Sequence, residues 1–345
     1  MSSDLGDVRA EDGFDINAVH AWLVENAHSP HDVPSVQQYR AGASNLTYLL
    51  TYKDREIILR RPPVGTKAVS AHDMKREFLI QKTLLPNFPL VPKVIALCEN
   101  PLILGSDFYV MQRIKGVILR RNLPDDISLS ADEISTIGNL VIDGLVSLHH
   151  VDSASLAQLS KGPGYVGRQV EGWSKRYRNA RTPDVADAEV LMQWLDQNQK
   201  KDVASCVVHG DWRLDNIVFN LDKAPNLVGV LDWELATIGD PLMDLGSSMA
   251  YWIDHTDEPA FAALRRQPSH LPGMPTRKEF IHKYLAQSEW ECGDFTFYEV
   301  FGLFRLTVIL QQIWARYVAG QTTNPAFAGF GEAVNLMIDR AMRII

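Results

Sequence analysis

Two stretches of the sequence decide the fold: CVVHGDWRLDNIVFN at residues 206–220 and LDWELATIGDPLMDLG at residues 231–246. The first sets a His-Gly-Asp before an Asp-Asn pair, and the second carries Asp232, Asp240 and Asp244 among apolar residues. Carboxylates in apolar surroundings are costly unless a partner offsets their charge. The pattern therefore predicts that a cation or a donor group lies beside these acids.

The two stretches read as the arms of a β-hairpin. Asn216 begins the β-rich run NIVFN, Asp232 closes the run LVGVLDW, and the turn-rich segment LDKAPN lies between them. An antiparallel hairpin returns the chain to its starting point, so we expect Asn216 and Asp232 at the same end, with Asp211 on the loop just before. Magnesium takes carboxylate and amide oxygens and usually binds together with substrate phosphates. The sequence therefore predicts Asn216 and Asp232 as magnesium ligands.

Asp211 has a different predicted role. It stands five residues before Asn216, which is the spacing that protein kinases use between their catalytic Asp and a metal-binding Asn. We therefore expect it to orient an attacking hydroxyl or to take its proton, and we expect Arg213 to reach a transferring phosphoryl group. The alternative is that a turn Asp, a capping Asn and a surface Asp merely share a hairpin.

The motif HGDWRLDN followed by GVLDWE resembles the pattern of the aminoglycoside phosphotransferase-like family of small-molecule kinases. The resemblance covers most of the chain, from about residue 35 to the C-terminus. It implies an α+β, protein-kinase-like fold with a small β-rich N-terminal lobe, a hinge and a larger, mainly helical C-terminal lobe. It also implies ATP as co-substrate, Asp211 as the catalytic base, and Mg²⁺ held by Asn216 and Asp232.

The same resemblance assigns supporting roles to the neighbouring residues. His209 is expected to support the loop, and Asp240 and Asp244 are expected to cap and brace the helix that follows them. For Asp240, which directly precedes Pro241, the local sequence also predicts an N-cap.

The secondary-structure pattern divides the chain into three segments. Residues 1–14 are predicted to be a flexible leader, residues 15–112 an N-lobe that covers the nucleotide, and residues 113–345 a C-lobe. The C-lobe is expected to carry the catalytic loop, the metal site and the helices that bind the acceptor. Within the N-lobe, two β-rich runs at 46–52 and 56–60 predict a hairpin, and HDMKREFLIQKTLL predicts a helix.

The N-lobe departs from the family pattern where it is expected to meet the phosphates. The phosphate-covering loop falls at AGASNLTY, where Gly42 is joined by the hydrogen-bonding residues Ser44 and Asn45. The strand lysine of the family is an arginine in IILRR. Arg60 fits the alignment, while Arg61 points to the opposite face of the strand and remains an alternative.

Two further N-lobe features follow from the resemblance. Glu77, in the middle of its predicted helix, is the expected partner of Arg60, although an ordinary exposed ion pair is the alternative. The segment FYVMQRIKG matches the adenine hinge, with Met111 behind the base and the backbone groups of Arg113 and Ile114 meeting it.

The acceptor is indicated by charge. The segment KGPGYVGRQVEGWSKRYRNAR carries many more cations than acids, which favours an anionic acceptor, whereas a polycationic aminoglycoside favours an acidic pocket. We therefore predict Arg168, Lys175 and Arg176 as substrate-binding residues. A solvated basic helix face is the alternative. The glycines at 162, 164 and 167 fit the pattern GxGxxG, but no strand precedes them, so we interpret them as a loop.

Several segments, including FYVMQRIKG and GRQVEGWSKRY, look most similar to the kinase-like domain fused to some acyl-CoA dehydrogenases. This resemblance implies transfer of the ATP γ-phosphoryl group to the hydroxyl of a hydroxyacyl-CoA, a CoA thioester. An aminoglycoside, choline-like or sugar acceptor remains open, as does a non-catalytic ATP-binding pseudokinase. A carboxylate–metal phosphohydrolase using Asp211, Asp232 and Asp240 is a further alternative.

Composition limits the remaining possibilities. The chain has 345 residues, a net charge of -8 and 46% hydrophobic residues, which is typical of a folded globular protein and argues against binding nucleic acid over its whole surface. Its three cysteines are widely spaced with no zinc pattern, and no apolar run approaches the roughly 20 residues that span a bilayer. We expect a cytoplasmic protein without a membrane or nucleic-acid partner, and the oligomeric state is left open.

Overall fold

The structure is a computed structural model that describes residues 5–40, 45–63 and 73–345. It contains two compact units. The smaller unit comprises Met1–Val117, Val218–Leu221 and Val228–Ala236, and the larger comprises Ile118–Ile217, Asp222–Leu227 and Thr237–Ile345. The main division thus falls between residues 117 and 118, slightly later than predicted, and two short later segments group with the N-terminal unit.

A six-stranded antiparallel sheet forms the centre of the smaller unit, in the strand order β1-β2-β3-β4-β6-β5. Its strands are β1 (Leu5–Gly6), β2 (Ser35–Tyr39), β3 (Leu46–Thr51), β4 (Glu56–Arg61), β5 (Val94–Cys98) and β6 (Phe108–Gln112). Its helices are α1 (Ile16–Asn26), α2 (Met74–Leu84) and α3 (Pro101–Leu104). The pairing of β3 with β4 confirms the predicted hairpin.

Side-chain alternation along β4 separates its two arginines. Ile57 packs with Val19 of α1 in one hydrophobic cluster, and Ile58 packs with residues of α2 in another. Because successive side chains of a strand point to opposite faces, Arg60 lies on the α2 face and Arg61 on the α1 face. The sheet therefore directs only one of them toward the helix that carries the predicted partner.

Residues 5–14 are part of the smaller unit instead of a loose leader. Strand β1 pairs with β2, and the backbone oxygen of Asp12 accepts hydrogen bonds from Arg61 Nη2 at 2.6 Å and from the Tyr48 hydroxyl at 2.8 Å. The ring of Phe14 packs edge-on against Tyr48 with centroids 5.0 Å apart. This part of the predicted leader thus supplies a backbone acceptor to the buried guanidinium of Arg61, and residues 1–4 of the leader lie outside the described residues.

Helices dominate the larger unit. Of the remaining strands, β8 (Cys206–Val208) and β11 (Thr237–Gly239) belong to the larger unit. Most of β9 (Ile217–Asn220) and β10 (Asn226–Val230) belongs to the smaller unit, and β7 (Val117–Ile118) lies where the chain passes from one unit to the other. The remaining helices are α4 (Ala131–His149), α5 (Tyr165–Ala180), α6 (Glu189–Gln197), α7 (Pro241–Met249), α8 (Pro259–Ala262), α9 (Arg277–Ser288), α10 (Thr296–Val318) and α11 (Phe330–Met342). Strands β10, β9 and β7 are neighbours in that order, and β8 pairs antiparallel with β11.

Local sequence signals set the helix starts. The Asp15 side chain accepts from the first amides of α1, and Ser130 with Glu133 forms the predicted capping box of α4. Asp240 accepts from the amides of Leu242 and Met243 at 2.9 and 3.0 Å, which confirms the N-cap of α7. Within the described ranges, no helix is both long and apolar enough to cross a membrane.

Candidate active site

The loop that carries Asp211 leaves β8 through Gly210, whose φ of 79° is a conformation that favours glycine. A single 3-10 turn, Leu214–Asn216, then brings Asn216 back to the start of the loop. Asn216 Nδ2 donates to the backbone oxygen and to Oδ2 of Asp211, both at 2.9 Å. The five-residue spacing therefore places the predicted pair in direct contact, and it leaves the amide oxygen of Asn216 as a potential cation ligand.

Arg213 lies beside Asp211, between two carboxylates of the same loop. Its Nε is 3.1 Å from Asp211 Oδ1, and its Nη2 is 3.2 Å from Asp215 Oδ2. Its guanidinium carbon lies 4.5 Å from the ring centroid of Tyr251. Burial raises the pKa of Asp215, and the charge of Arg213 opposes that rise. The positive charge of Arg213 is thus shared with the acids of its own loop, and Asp215 is a member of the site that the sequence analysis did not identify.

Asp244 fixes the start of the loop that carries Asp211. Its carboxylate accepts hydrogen bonds from the amides of His209 and Gly210 at 2.8 and 2.9 Å and from His149 Nε2 at 3.1 Å. Burial would raise the pKa of Asp244, but His149 and the amide of His209 lower it overall. The expectation that Asp244 braces the following helix is corrected, because its carboxylate meets the amides that follow β8. His149 is held in turn by Tyr284, with Nδ1 and the hydroxyl 2.5 Å apart.

Arg305 of α10 also contacts this loop, and sequence reasoning missed it. It is only 7% exposed, and its Nη2 donates to the backbone oxygen of Gly210 at 2.6 Å. Its guanidinium carbon lies 5.2 Å from the centroid of the Trp173 ring. The signal in the sequence was a lone arginine within the apolar run FGLFRLTVIL, a position where an unpaired charge is costly.

In the smaller unit, Arg60 faces three carboxylates. Its Nη2 lies 3.0 Å from Asp232 Oδ1, 3.4 Å from Glu77 Oε1 and 3.8 Å from Glu234 Oε2. Burial alone would lower the pKa of Arg60, but the carboxylates, led by Glu77, raise it well above its usual range. Burial raises the pKa of Glu77, and Arg60 opposes that effect. The expected Arg–Glu pair is therefore present and buried, and it involves Arg60 and not Arg61.

Asp232 precedes the short 3-10 turn Trp233–Leu235 that follows β10, and Glu234 lies within that turn. Asp232 has φ 66° and ψ 62°, a left-handed conformation that is uncommon for residues other than glycine and is often found at functional sites. Asn45 Nδ2 donates to Glu234 Oε2 at 2.9 Å, and Arg76 Nη1 donates to the backbone oxygen of Glu234 at 2.8 Å. Glu234 thus joins the predicted residue Asn45 to this turn. Ser44 lies outside the described residues.

The predicted hinge residues occupy the end of β6 and the segment after it. Met111 is buried and pairs with Ile58 of β4. Arg113 Nη1 lies 2.6 Å from Glu56 Oε1, and a Cβ at Gly229 would overlap the Ile114 side chain. The side chain of Arg113 is thus held by an ion pair, and contact of its backbone with a base remains a prediction.

The glycine-rich segment before α5 binds a carboxylate of the chain itself. Asp202 accepts hydrogen bonds from the backbone amides of residues 164–166 at 2.7, 2.9 and 2.9 Å. The guanidinium of Arg168 donates to the backbone oxygens of residues 163 and 162 at 2.5 and 2.8 Å. Arg168, one of the three residues predicted to bind the acceptor, thus stabilises this loop through hydrogen bonds to its backbone.

The other basic residues of α5 differ in their surroundings. Arg178 forms an exposed ion pair with Glu189, with Nη2 and Oε2 2.7 Å apart. Lys175 and Arg176 are exposed, and the guanidinium carbon of Arg176 lies 4.5 Å from the centroid of the Trp173 ring. Their role in acceptor binding stays a prediction.

The fold is similar to those of solved phosphotransferase and kinase structures. It is similar to that of a Ralstonia eutropha protein classed with the aminoglycoside phosphotransferases, with a TM-score of 0.81, 28% identity, and coverage of 96% of this chain and 98% of that one. It is also similar in fold to choline kinase from Cryptosporidium parvum, with a TM-score of 0.64, 14% identity, and coverage of 96% and 95% of the two chains. The predicted α+β, kinase-like fold is confirmed.

Sequence comparison then gives the family. Residues 35–280 match the model of the APH phosphotransferase enzyme family, and the chain belongs to that family. It is 36% identical over 309 residues to mouse acyl-CoA dehydrogenase family member 10, covering 88% of this chain and 28% of that protein. It is 32% identical over 357 residues to human acyl-CoA dehydrogenase family member 11, covering 99% and 44%.

Family membership confirms the predicted resemblance and makes the chain an ATP-dependent phosphotransferase of the small-molecule kinase type. The chain spans less than half the length of these two curated relatives.

Proposed function

We propose that the chain transfers the γ-phosphoryl group of ATP to the hydroxyl of an anionic metabolite, with a hydroxyacyl-CoA as the best candidate. The observation that carries the proposal is the contact between Asp211 and Asn216. It joins a carboxylate suited to orient a hydroxyl to an amide oxygen suited to bind a cation.

Asp211 is the residue proposed to act on the acceptor hydroxyl. Asn216 holds its Oδ2 and Arg213 lies beside its Oδ1, so the carboxylate has a fixed orientation, and each oxygen retains a further lone pair. Phosphoryl transfer depends chiefly on positioning and on neutralising charge. A fixed carboxylate that accepts a hydrogen bond from the attacking hydroxyl meets the first requirement.

The residues present fit magnesium. Asn216 Nδ2 donates two hydrogen bonds to Asp211, and these bonds fix the orientation of the amide. Within the described residues, the amide oxygen of Asn216 accepts no hydrogen bond and can therefore bind a cation. Asp232 has a side chain that is 32% exposed, and it shares the cation Arg60 with two other carboxylates. We propose Asn216 and Asp232 as the protein ligands. These two residues would hold the ion, and magnesium there would supply charge neutralisation for the phosphates.

The nucleotide is assigned to the smaller unit. Arg60, held by Glu77, is the cation proposed to bind the phosphates, and Asn45 and Ser44 are the proposed donors of the phosphate-covering loop. Met111, Arg113 and Ile114 are proposed to receive the base, as the resemblance implies. Arginine keeps the charge of the usual lysine and adds a planar fork of donors.

The acceptor class is supported by the relatives and by charge. Two relatives are named acyl-CoA dehydrogenase family members, and the region covering this chain is only part of each. The basic residues of α5 favour an anionic acceptor over aminoglycosides, choline-like cations or neutral sugars. A non-catalytic pseudokinase is disfavoured by the intact set Asp211, Asn216 and Asp232.

The experiment is a comparison of wild type, Asp211→Asn and the control Asp339→Asn, an exposed aspartate of α11. ADP formation is measured with Mg-ATP and a 4-hydroxyacyl-CoA, and ATP binding is measured by calorimetry. Loss of a general base lowers kcat by about 10² to 10⁴, so we expect that loss in Asp211→Asn with ATP affinity within about twofold. Turnover of Asp211→Asn at the wild-type rate would falsify the assignment.

A further inference from the structure

Two arginine side chains pack against Trp173 of α5, beside the loop that carries Asp211. The guanidinium carbons of Arg176 and Arg305 lie 4.5 and 5.2 Å from the centroid of the Trp173 ring. The indole Nε1 of Trp173 donates to Gln169 Oε1 at 3.0 Å, which helps fix the ring. We call Trp173, Arg176 and Arg305 the indole–arginine cluster.

The cluster carries positive charge that its surroundings do not offset. Arg178 on the same helix is paired with Glu189, and Arg213 lies between two aspartates. Across the ranges that the structure describes, neither Arg176 nor Arg305 has a carboxylate within 4.0 Å. Arg305 is largely buried, and a buried guanidinium without an anion is costly. An anion supplied by a ligand would therefore stabilise it.

Arg305 also keeps hydrogen-bonding capacity. A guanidinium has five N–H donors, and among the described residues Arg305 uses one, toward the backbone oxygen of Gly210 at 2.6 Å. That oxygen belongs to the residue before Asp211. The free donors therefore lie next to the loop that holds the carboxylate proposed to orient the acceptor hydroxyl.

We propose that the indole–arginine cluster binds an oxyanion group of the acceptor and thereby selects anionic over cationic acceptors. This inference rests on the proposed phosphotransferase function and names the specificity residues of the same site. Planar guanidinium groups bind phosphate or carboxylate oxygens in pairs, and the indole face holds the guanidinium planes through cation–π attraction. The group recognised is either a phosphate of CoA or a carboxylate of a free hydroxy acid.

The test compares wild type with Arg305→Met, Arg176→Gln and Trp173→Leu. The matched control is Arg178→Gln, which removes an arginine of the same helix that already has its partner. Acceptor KM and ATP KM are measured with a 4-hydroxyacyl-CoA, the corresponding hydroxyacyl-pantetheine and the free 4-hydroxy acid. CoA binding without ATP is measured by calorimetry at low and high salt.

Loss of one charged contact is expected to raise KM for the charged acceptor by about tenfold or more, with ATP KM and the control unchanged. KM for the neutral pantetheine thioester should not change. An effect on the CoA thioester alone identifies phosphate as the recognised group, and an effect on the free acid identifies carboxylate. An equal effect on the pantetheine thioester would overturn an anion site. If Arg305→Met does not fold, Arg176→Gln and Trp173→Leu decide the result.

Failure of the site and failure of the function give different results. Transfer to the acyl-CoA with unchanged KM in all cluster variants overturns the site and keeps the function. Salt-dependent CoA binding that the variants lose, without transfer to any of the three compounds, supports the site and overturns the proposed reaction. Absence of both transfer and CoA binding in the wild type overturns both.

Discussion

The buried cluster around Arg60 allows a prediction with a defined magnitude. Arg60 Nη2 lies 3.4 Å from Glu77 Oε1, and Glu77 is 2% exposed. Arg60→Met removes the nearest cation and leaves a carboxylate without compensation in the interior. Removal of one partner from a buried ion pair costs about 3–5 kcal/mol. We therefore expect the free energy of unfolding to fall by about that amount at pH 7.

A second substitution tests the cause of that loss. Adding Glu77→Gln to Arg60→Met removes the unpaired charge, so we expect the double variant to recover more than half of the lost stability. Glu77→Gln alone should cost less than Arg60→Met, since Arg60 still faces Asp232 and Glu234. The matched control is Lys75→Met on the exposed side of α2, which removes the exposed ion pair between Lys75 and Glu99. This variant should leave the free energy of unfolding unchanged.

The pH dependence follows from the pKa of Glu77. Burial already raises that pKa above the ordinary value of 4.5, and loss of Arg60 raises it further. The defect of Arg60→Met is therefore complete at pH values above the pKa of Glu77 in the folded variant, and it fades as the pH falls toward 4.5. Urea unfolding followed by tryptophan fluorescence at several pH values measures it. A loss below about 1 kcal/mol, or no recovery in the double variant, would refute the reasoning.

Two further substitutions test the larger unit. His149→Phe removes a donor that lowers the pKa of Asp244, while the amides of His209 and Gly210 still bind that carboxylate, so a loss of about 1–3 kcal/mol is expected at neutral pH. The loss should shrink as the pH falls to and below 3.8, the ordinary pKa of that carboxyl. Thermal unfolding across pH checks it, and a deficit that grows with acid contradicts it. Gly302→Ala places a Cβ against the backbone oxygen of Gly246 where α10 crosses α7, so a cost of about 1–3 kcal/mol is expected. Urea unfolding measures this cost. The control is Gly329→Ala, because a Cβ at Gly329 meets only open space. Equal stability of the two variants would contradict close packing of the two helices.

The sequence predicted the parts of the site that local periodicity determines. Side-chain alternation placed Arg60 and Arg61 on opposite faces of one strand, although the choice between them needed the structure, and the short spacing between Asp211 and Asn216 predicted that the two residues lie together. The cap at Asp240 followed from its position before a proline. Each of these depends on neighbours within a few residues or on a regular element whose period is known.

The residues that sequence reasoning missed depend on partners far along the chain. Glu234 receives a hydrogen bond from Asn45, which lies 189 residues away, and Arg305 donates to Gly210 across 95 residues. Residues 5–14 likewise depend on a distant partner, because the backbone oxygen of Asp12 accepts a hydrogen bond from Arg61. A sequence pattern shows that a buried charge needs a partner, but only the fold supplies the identity of that partner.

We propose that the protein transfers a phosphoryl group to an anionic hydroxyl compound and that Asp211 is the orienting base. The most direct measurement is mass spectrometry of an acceptor panel incubated with Mg-ATP and either wild type or Asp211→Asn. The panel contains a 4-hydroxyacyl-CoA, an aminoglycoside, choline and a simple sugar. We expect the acyl-CoA to gain one phosphoryl group with wild type and none with the variant. Transfer only to a cationic or neutral acceptor, or equal transfer by the variant, would contradict it.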